Sequence, residues 1–156
     1  MAYLMTRGFD YLADDLLAVA APGGSIVPWP MPLNVKDGSV DVLASSHPEL
    51  SSSPTYRAKG TNARLMAPPT DPWEREPTAL RYLIFPRFVA GESAELRVLS
   101  PFEALERLLG DRIWFGYPLV EDRVQAFVTW LEKKPSYAIS YGTLEAAARC
   151  IEDIVE

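Results

Sequence analysis

Apolar positions along this chain follow two regimes. Up to about residue 86 they come in short runs interrupted by proline; beyond it they recur at three- and four-residue spacing. Eleven of the 14 prolines lie between Pro22 and Pro86. Proline fixes φ and removes a backbone donor, so the first half is expected to hold short strands joined by irregular loops. Met1, Leu4 and Met5 sit at helical spacing, with Gly8 placed to end the helix. Phe9 to Ala13 reads as a strand ending at Asp14 and Asp15. Leu16 to Ala20 follows as a second apolar run, then an Ala21-Pro22-Gly23-Gly24 turn and an antiparallel return over Ser25 to Val27. Leu33 to Val35 and Asn62 to Met66 read as further strands. Lys36 to Gly60 reads as a long Ser/Pro/Asp-rich loop with a helical turn around Val40 to Ala44, and Pro68 to Pro77 as a connector.

The second half carries stronger local signals. Leu80 to Phe85 and Glu95 to Leu99 read as strands. Ser100 is an N-cap, Pro101 takes the first helical position, Glu103 completes a capping box, and Gly110 ends the helix. A second helix is predicted from about Leu119 to Lys133, burying Val120, Val124, Phe127, Val128 and Leu131, with Pro135 as its stop. Tyr137 to Tyr141 is a short strand. Gly142 and Thr143 then lead into a final helix with Leu144, Ala147, Ala148, Ile151 and Val155 on its buried side. The pattern predicts an α/β chain, α+β-like in its present extent. Its mixed β-sheet has short N-terminal strands, and its C-terminal part is helical. One domain is expected over 1–156, in three stretches: 1–35 (helix tail, Asp-Asp strand and hairpin), 36–77 (Pro/Ser-rich loops) and 78–156 (strands and three helices).

Composition narrows the functional classes. At 156 residues, 48% hydrophobic and 23% charged, the chain has the make-up of a folded domain. A net charge of −6 argues against neutralising nucleic-acid phosphates. No apolar run reaches the roughly 20 residues of a membrane span, and the first residues lack a secretory pattern, so a cytoplasmic protein is expected. One cysteine, Cys150, and one histidine, His47, leave no Cys/His metal cluster. His47 lacks an evident catalytic partner, the four tryptophans read as anchors in core or loop, and Cys150 as an inert helix residue.

The candidate chemistry lies in Tyr11-Leu12-Ala13-Asp14-Asp15-Leu16-Leu17-Ala18-Val19. Two carboxylates between apolar runs are costly to bury unless paired or bound to a cation. At a strand end they could hold Mg²⁺ or aim a nucleophile; in a solvated turn they would do neither. Arg87, just after a strand, could meet phosphate oxygens or simply pair with a nearby glutamate.

Several segments resemble the HPr serine kinase/phosphorylase family and its bacterial relatives. These are Arg7-Gly8-Phe9 with the acidic strand to Val19, Pro77-Thr78-Ala79-Leu80-Arg81-Tyr82-Leu83-Ile84-Phe85-Pro86-Arg87-Phe88, Leu99-Ser100-Pro101-Phe102-Glu103-Ala104-Leu105, and Pro135 to Ala147 around Tyr141-Gly142-Thr143. Each motif is short, and the ordered set spans nearly the whole chain. The resemblance implies a P-loop kinase of the phosphoenolpyruvate-carboxykinase-like class, which phosphorylates a hydroxyl with ATP and Mg²⁺. By position, Asp14 resembles the carboxylate that accepts the substrate hydroxyl proton, and Asp15 the one serving the metal.

The chain departs from the family at its defining feature: no G-x-x-x-x-G-K-[ST] occurs in it. In the family that loop opens the helix whose tail matches Met1 to Arg7, so a truncated or degenerate member is expected. Mg²⁺ and ATP are then cofactors of a full-length form, and none is expected for this chain alone. The expected partner is a protein or peptide carrying a serine, with neither nucleic acid nor membrane involved. Loss of the phosphate-loop strand would bare a sheet edge, so a homo-oligomer is expected as well. Two other readings stay open: a non-catalytic module binding a protein or peptide through its Pro-rich loops, and an unrelated small α+β domain.

Overall fold

The computed structural model describes residues 1–20, 24–58, 60–68, 76–110, 113–114 and 117–156. It is a mixed α and β structure with three small sheets, and the chain divides into two compact units, Met1–Thr78 and Ala79–Glu156. Most of the predicted 21–24 turn and of the 68–77 connector, including Trp73, lies outside the described residues.

The first unit opens with helix α1 (Ala2–Met5). Gly8 ends it at φ +90°, where the Gly8 amide bonds Met5 O at 3.2 Å and the Phe9 amide bonds Leu4 O at 3.2 Å. This pair of bonds is the Schellman arrangement, which favours a residue without Cβ at its left-handed position. Strands β1 (Ala18–Ala20) and β2 (Ser25–Val27) pair antiparallel, as the hydrophobic pattern predicts, and β6 (Thr78–Ala79) completes that sheet in the order β1-β2-β6.

The predicted strand Phe9–Ala13 does not form. Only an isolated parallel bridge joins Ala13 to Trp29, with the Trp29 amide donating to Leu12 O at 2.8 Å. The reason is in the partner: Trp29 stands between Pro28 and Pro30, neither of which has an N–H to extend a ladder.

Nor is 36–60 one long loop, and the helical turn expected around Val40 to Ala44 belongs to a full helix. Strand β3 (Leu33–Lys36) runs directly into helix α2 (Asp37–Leu43), which buries Val40 and Leu43. A 3-10 turn over Pro48–Ser51 buries Leu50, and β4 (Thr55–Ala58) returns antiparallel to β5 (Thr61–Met66). The sheet order is β3-β5-β4. Val40, Leu43 and Leu50 supply apolar anchors at helical spacing, which a Ser/Pro/Asp-rich composition obscures. Arg64 of β5 fastens the 3-10 turn: Nη1 donates to Leu50 O at 2.7 Å, Ser51 O at 2.9 Å and Ser53 O at 3.3 Å. A cation against the carbonyls at a helical C-terminus is favourable.

In the second unit, β7 (Leu83–Phe88) runs parallel to β9 (Ser136–Tyr141), and β8 (Glu95–Leu99) pairs antiparallel on its other side. Strand β7 starts three residues later than the pattern predicts and continues through Pro86. That is tolerated because β7 is an edge strand, where an outward-facing position needs no N–H. Helix α3 (Pro101–Gly110) packs near β8 and β9, and its Arg107 guanidinium lies 5.7 Å from the Phe85 ring centroid. Helix α4 (Glu121–Leu131) buries Leu131; Val124, Phe127 and Val128 are half-buried, whereas Val120 stays exposed. Helix α5 (Leu144–Val155) starts at Thr143, whose hydroxyl accepts the Ala146 amide at 3.2 Å, and it buries Ala147 and Ala148.

The capping box of α3 forms as its sequence requires. The Ser100 amide and hydroxyl donate to Glu103 Oε2 at 2.9 and 2.8 Å, and the Glu103 amide returns a bond to Ser100 Oγ at 3.3 Å. Arg97 Nη1 adds a 2.7 Å bond to Glu103 Oε1. The Ser100 amide, then the Arg97 and Ser100 side chains, hold the Glu103 carboxyl at about 2, against an ordinary 4.5. Because this pKa is depressed by folding, the contribution is fully present above 4.5 and is lost as pH falls toward 2. An NMR titration should find Glu103 as the late-titrating carboxyl. Glu103→Gln should weaken the acid dependence of α3 helicity, and an ordinary midpoint at Glu103 would contradict the box.

Candidate functional site

The acidic pair sits in a bend rather than at a strand end, and the bend is fixed from two sides. Tyr11, 2% exposed, anchors it: its phenol donates a hydrogen bond to Met31 O. The Leu12–Trp29 bond and the Ala13–Trp29 bridge hold the next two residues. At Asp14, Oδ2 accepts the backbone N–H of Asn34 on β3 at 3.1 Å. Asp14 is therefore half-buried and oriented, while the adjacent Asp15 is exposed. The two carboxylates occupy different environments, as the alternation of side chains along an extended segment would have given them.

The pair marks its surroundings electrostatically. Burial, then the negative charges of Asp14 and Asp15, push the Tyr11 phenol above its ordinary value of 10.0. Tyr11 thus remains a donor at neutral pH and serves to anchor the bend. Since the folded pKa is raised, this contribution is intact below pH 10 and fades as pH climbs through the folded value. Tyr11→Phe should flatten the alkaline limb of the stability curve. It should also cost about 1–2 kcal/mol at neutral pH for the bond lost at Met31 O. Alkaline unfolding identical to that of the parent would place the titrating group elsewhere.

Asn34 contributes a second feature that sequence reading misses. Its Oδ1 is buried and has no hydrogen-bond partner among the described residues. No local signal marks this atom, because its burial depends on how β3 meets the 11–15 segment.

Arg87 lies exposed on β7, opposite Ser140 of β9, and so belongs to the second unit. Asp14 and Asp15 belong to the first. No family model, curated protein or solved structure matches this chain. The motifs of the sequence therefore carry the resemblance by themselves.

His47 is tied into the first unit: Nε2 lies 3.1 Å from Ala2 O and Nδ1 3.2 Å from Glu49 Oε1. These contacts dock α1 against the 3-10 turn. A shallow depression of about 520 Å³ runs along α4, lined by Asp122, Gln125, Ala126, Thr129, Trp130 and Lys133, and none of the candidate residues enters it. Among the described residues no group of three or more His, Cys, Asp or Glu converges, and no helix is long and apolar enough to cross a membrane.

Proposed function

We propose that the chain carries the acidic pair of an HPr-kinase-like serine kinase, working with a nucleotide anchor supplied outside these 156 residues. Asp14 accepts the proton of a seryl hydroxyl on a protein or peptide, and Asp15 holds Mg²⁺. What carries the reading is the inequality of the two acids: Asp14 is fixed by the Asn34 amide, whereas Asp15 stands exposed beside it. A proton acceptor needs a fixed aim; a metal ligand needs access.

The donor chemistry fits the cation. Mg²⁺ takes oxygen ligands and is commonly held by one or two carboxylates, its other positions going to water and substrate phosphate. Asp15 offers an exposed carboxylate, whose oxygens suit such a cation. Bound Mg²⁺·ATP would supply the phosphoryl group and neutralise charge on it. ATP itself fits this chain poorly, since the sequence has no Walker A motif to cradle its phosphates.

Mn²⁺, used as a paramagnetic probe for Mg²⁺, should broaden the amide signals of Asp14, Asp15 and Asn34 selectively, and Asp15→Asn should abolish that. Broadening spread evenly over the acidic surface would remove the metal role. With a Walker A segment joined to the chain, Asp14→Asn should reduce transfer to a seryl peptide about a hundredfold while nucleotide affinity holds. Unchanged turnover would remove Asp14 from the reaction.

A further inference from the structure

The β7-β9-β8 sheet has two edges of opposite character. Strand β7 carries Pro86 in its middle and Arg87 next to it, a combination that blunts further pairing. Strand β8 has no proline, and all of Glu95 to Val98 is exposed. Among the described residues no strand pairs with its outer edge. The register sets Leu96 opposite Ile139 and Val98 opposite Tyr137, so both lie on one face of the sheet. Phe88, opposite Tyr141, shares that face. Leu96 is 41% exposed and Val98 71%, two apolar side chains beside an unpaired backbone edge.

Charged side chains commonly protect such edges, and β8 has two, Glu95 and Arg97. Their signs and spacing do the reverse for one partner. In an antiparallel pairing of β8 with a second copy of itself, centred on Leu96, Glu95 of each copy stands opposite Arg97 of the other. Leu96 meets its own counterpart, and Ala94 meets Val98. The neighbouring in-face register, centred on Arg97, would instead set two arginines opposite each other, which is unfavourable. Arg97 already donates to Glu103 through Nη1, and a guanidinium keeps further donors for a second carboxylate.

We propose that β8 is a self-association edge. Two copies join antiparallel about Leu96, making a continuous six-stranded sheet with reciprocal Glu95–Arg97 pairs and with Leu96 and Val98 of both copies side by side. A two-fold interface demands such self-complementarity, and a strand reading Glu-Leu-Arg supplies it. The proposal is independent of the phosphoryl-transfer reading.

The test is sedimentation across the micromolar range, with far-UV circular dichroism confirming that each variant folds. The parent should dimerise. Glu95→Arg sets like charges opposite each other twice and should weaken dimerisation by about tenfold or more. Arg97→Glu should do the same, and an equimolar mixture of the two variants should regain association, because every arginine then faces a glutamate. Leu96→Cys supplies a readout that leaves the charges alone: oxidation should link the two copies through residue 96, whereas the parent, with Cys150 alone, should not cross-link. A monomeric parent would overturn the proposal. So would a dimer indifferent to Glu95→Arg, or a Leu96→Cys variant that dimerises without cross-linking.

Discussion

Gly142→Ala is expected to lower the stability of the second unit by about 3 kcal/mol, the upper end for forcing extra volume into a packed site. A Cβ at Gly142 would overlap Glu92 O and lie 3.0 Å from Glu92 N and 3.3 Å from Glu92 C. All three are backbone atoms, so no side chain can swing aside. The opposing segment is fixed as well: the Glu92 amide bonds Val89 O at 3.2 Å, Gly91 turns at φ +80°, and the Val89 amide bonds Tyr141 O at 2.8 Å. The added methyl must therefore displace either that turn or the junction of β9 with α5. At roughly 4–8 °C per kcal/mol for a unit of this size, the calorimetric midpoint should fall by about 12–24 °C. A fall of only a degree or two would mean that the two backbone segments are farther apart than the structure places them.

Leu50→Ala should have an effect of similar size in the first unit, about 3–4 kcal/mol, as is usual for truncating a fully buried leucine. Leu50 is 0% exposed, and its neighbourhood has little freedom to collapse into the space left. The turn that carries it is held by the three Arg64 bonds, and its carbonyl is one of the three acceptors. His47, the residue before the turn, is bound to Ala2 O. A cavity there should persist rather than fill, which is why the cost should exceed that of simple transfer to water. Val42→Ala is the comparison: with 58% of the residue exposed, it should change stability by no more than about half a kcal/mol. Urea denaturation of the two variants, with equal m-values, would measure the contrast. A Leu50→Ala cost below about one kcal/mol would contradict the tight seat described for the 3-10 turn.

Legibility in the sequence follows the range of the interactions involved. Helix α3 is readable because Ser100, Pro101 and Glu103 fix its start within four residues. Strand β8 and helix α5 are readable for similar reasons. The start of β7 is misjudged because Pro86 reads as a terminator, and only its edge position in the sheet makes the proline harmless. The stretch around α2 and Leu50 is misjudged because its composition is that of a loop, while three well-spaced apolar residues decide its structure.

The candidate site divides in the same way. The unlike surroundings of Asp14 and Asp15 arise in a bend, where the alternation expected of a strand does not apply. The Asn34 amide that distinguishes them comes from 20 residues away, and nothing local announces it. The failed strand at Phe9–Ala13 has a distant cause too, since the prolines that forbid it are those beside its partner, Trp29.

Those prolines give the acidic bend a private reporter. Between Val27 and Met31 only Trp29 has an exchangeable backbone hydrogen, and that hydrogen is committed to Leu12 O. Its replacement by deuterium requires the contact just before Asp14 to open, with no adjoining proline amide to blur the signal. The rate at Trp29 therefore measures how often the contact beside the carboxylates opens, without any substitution.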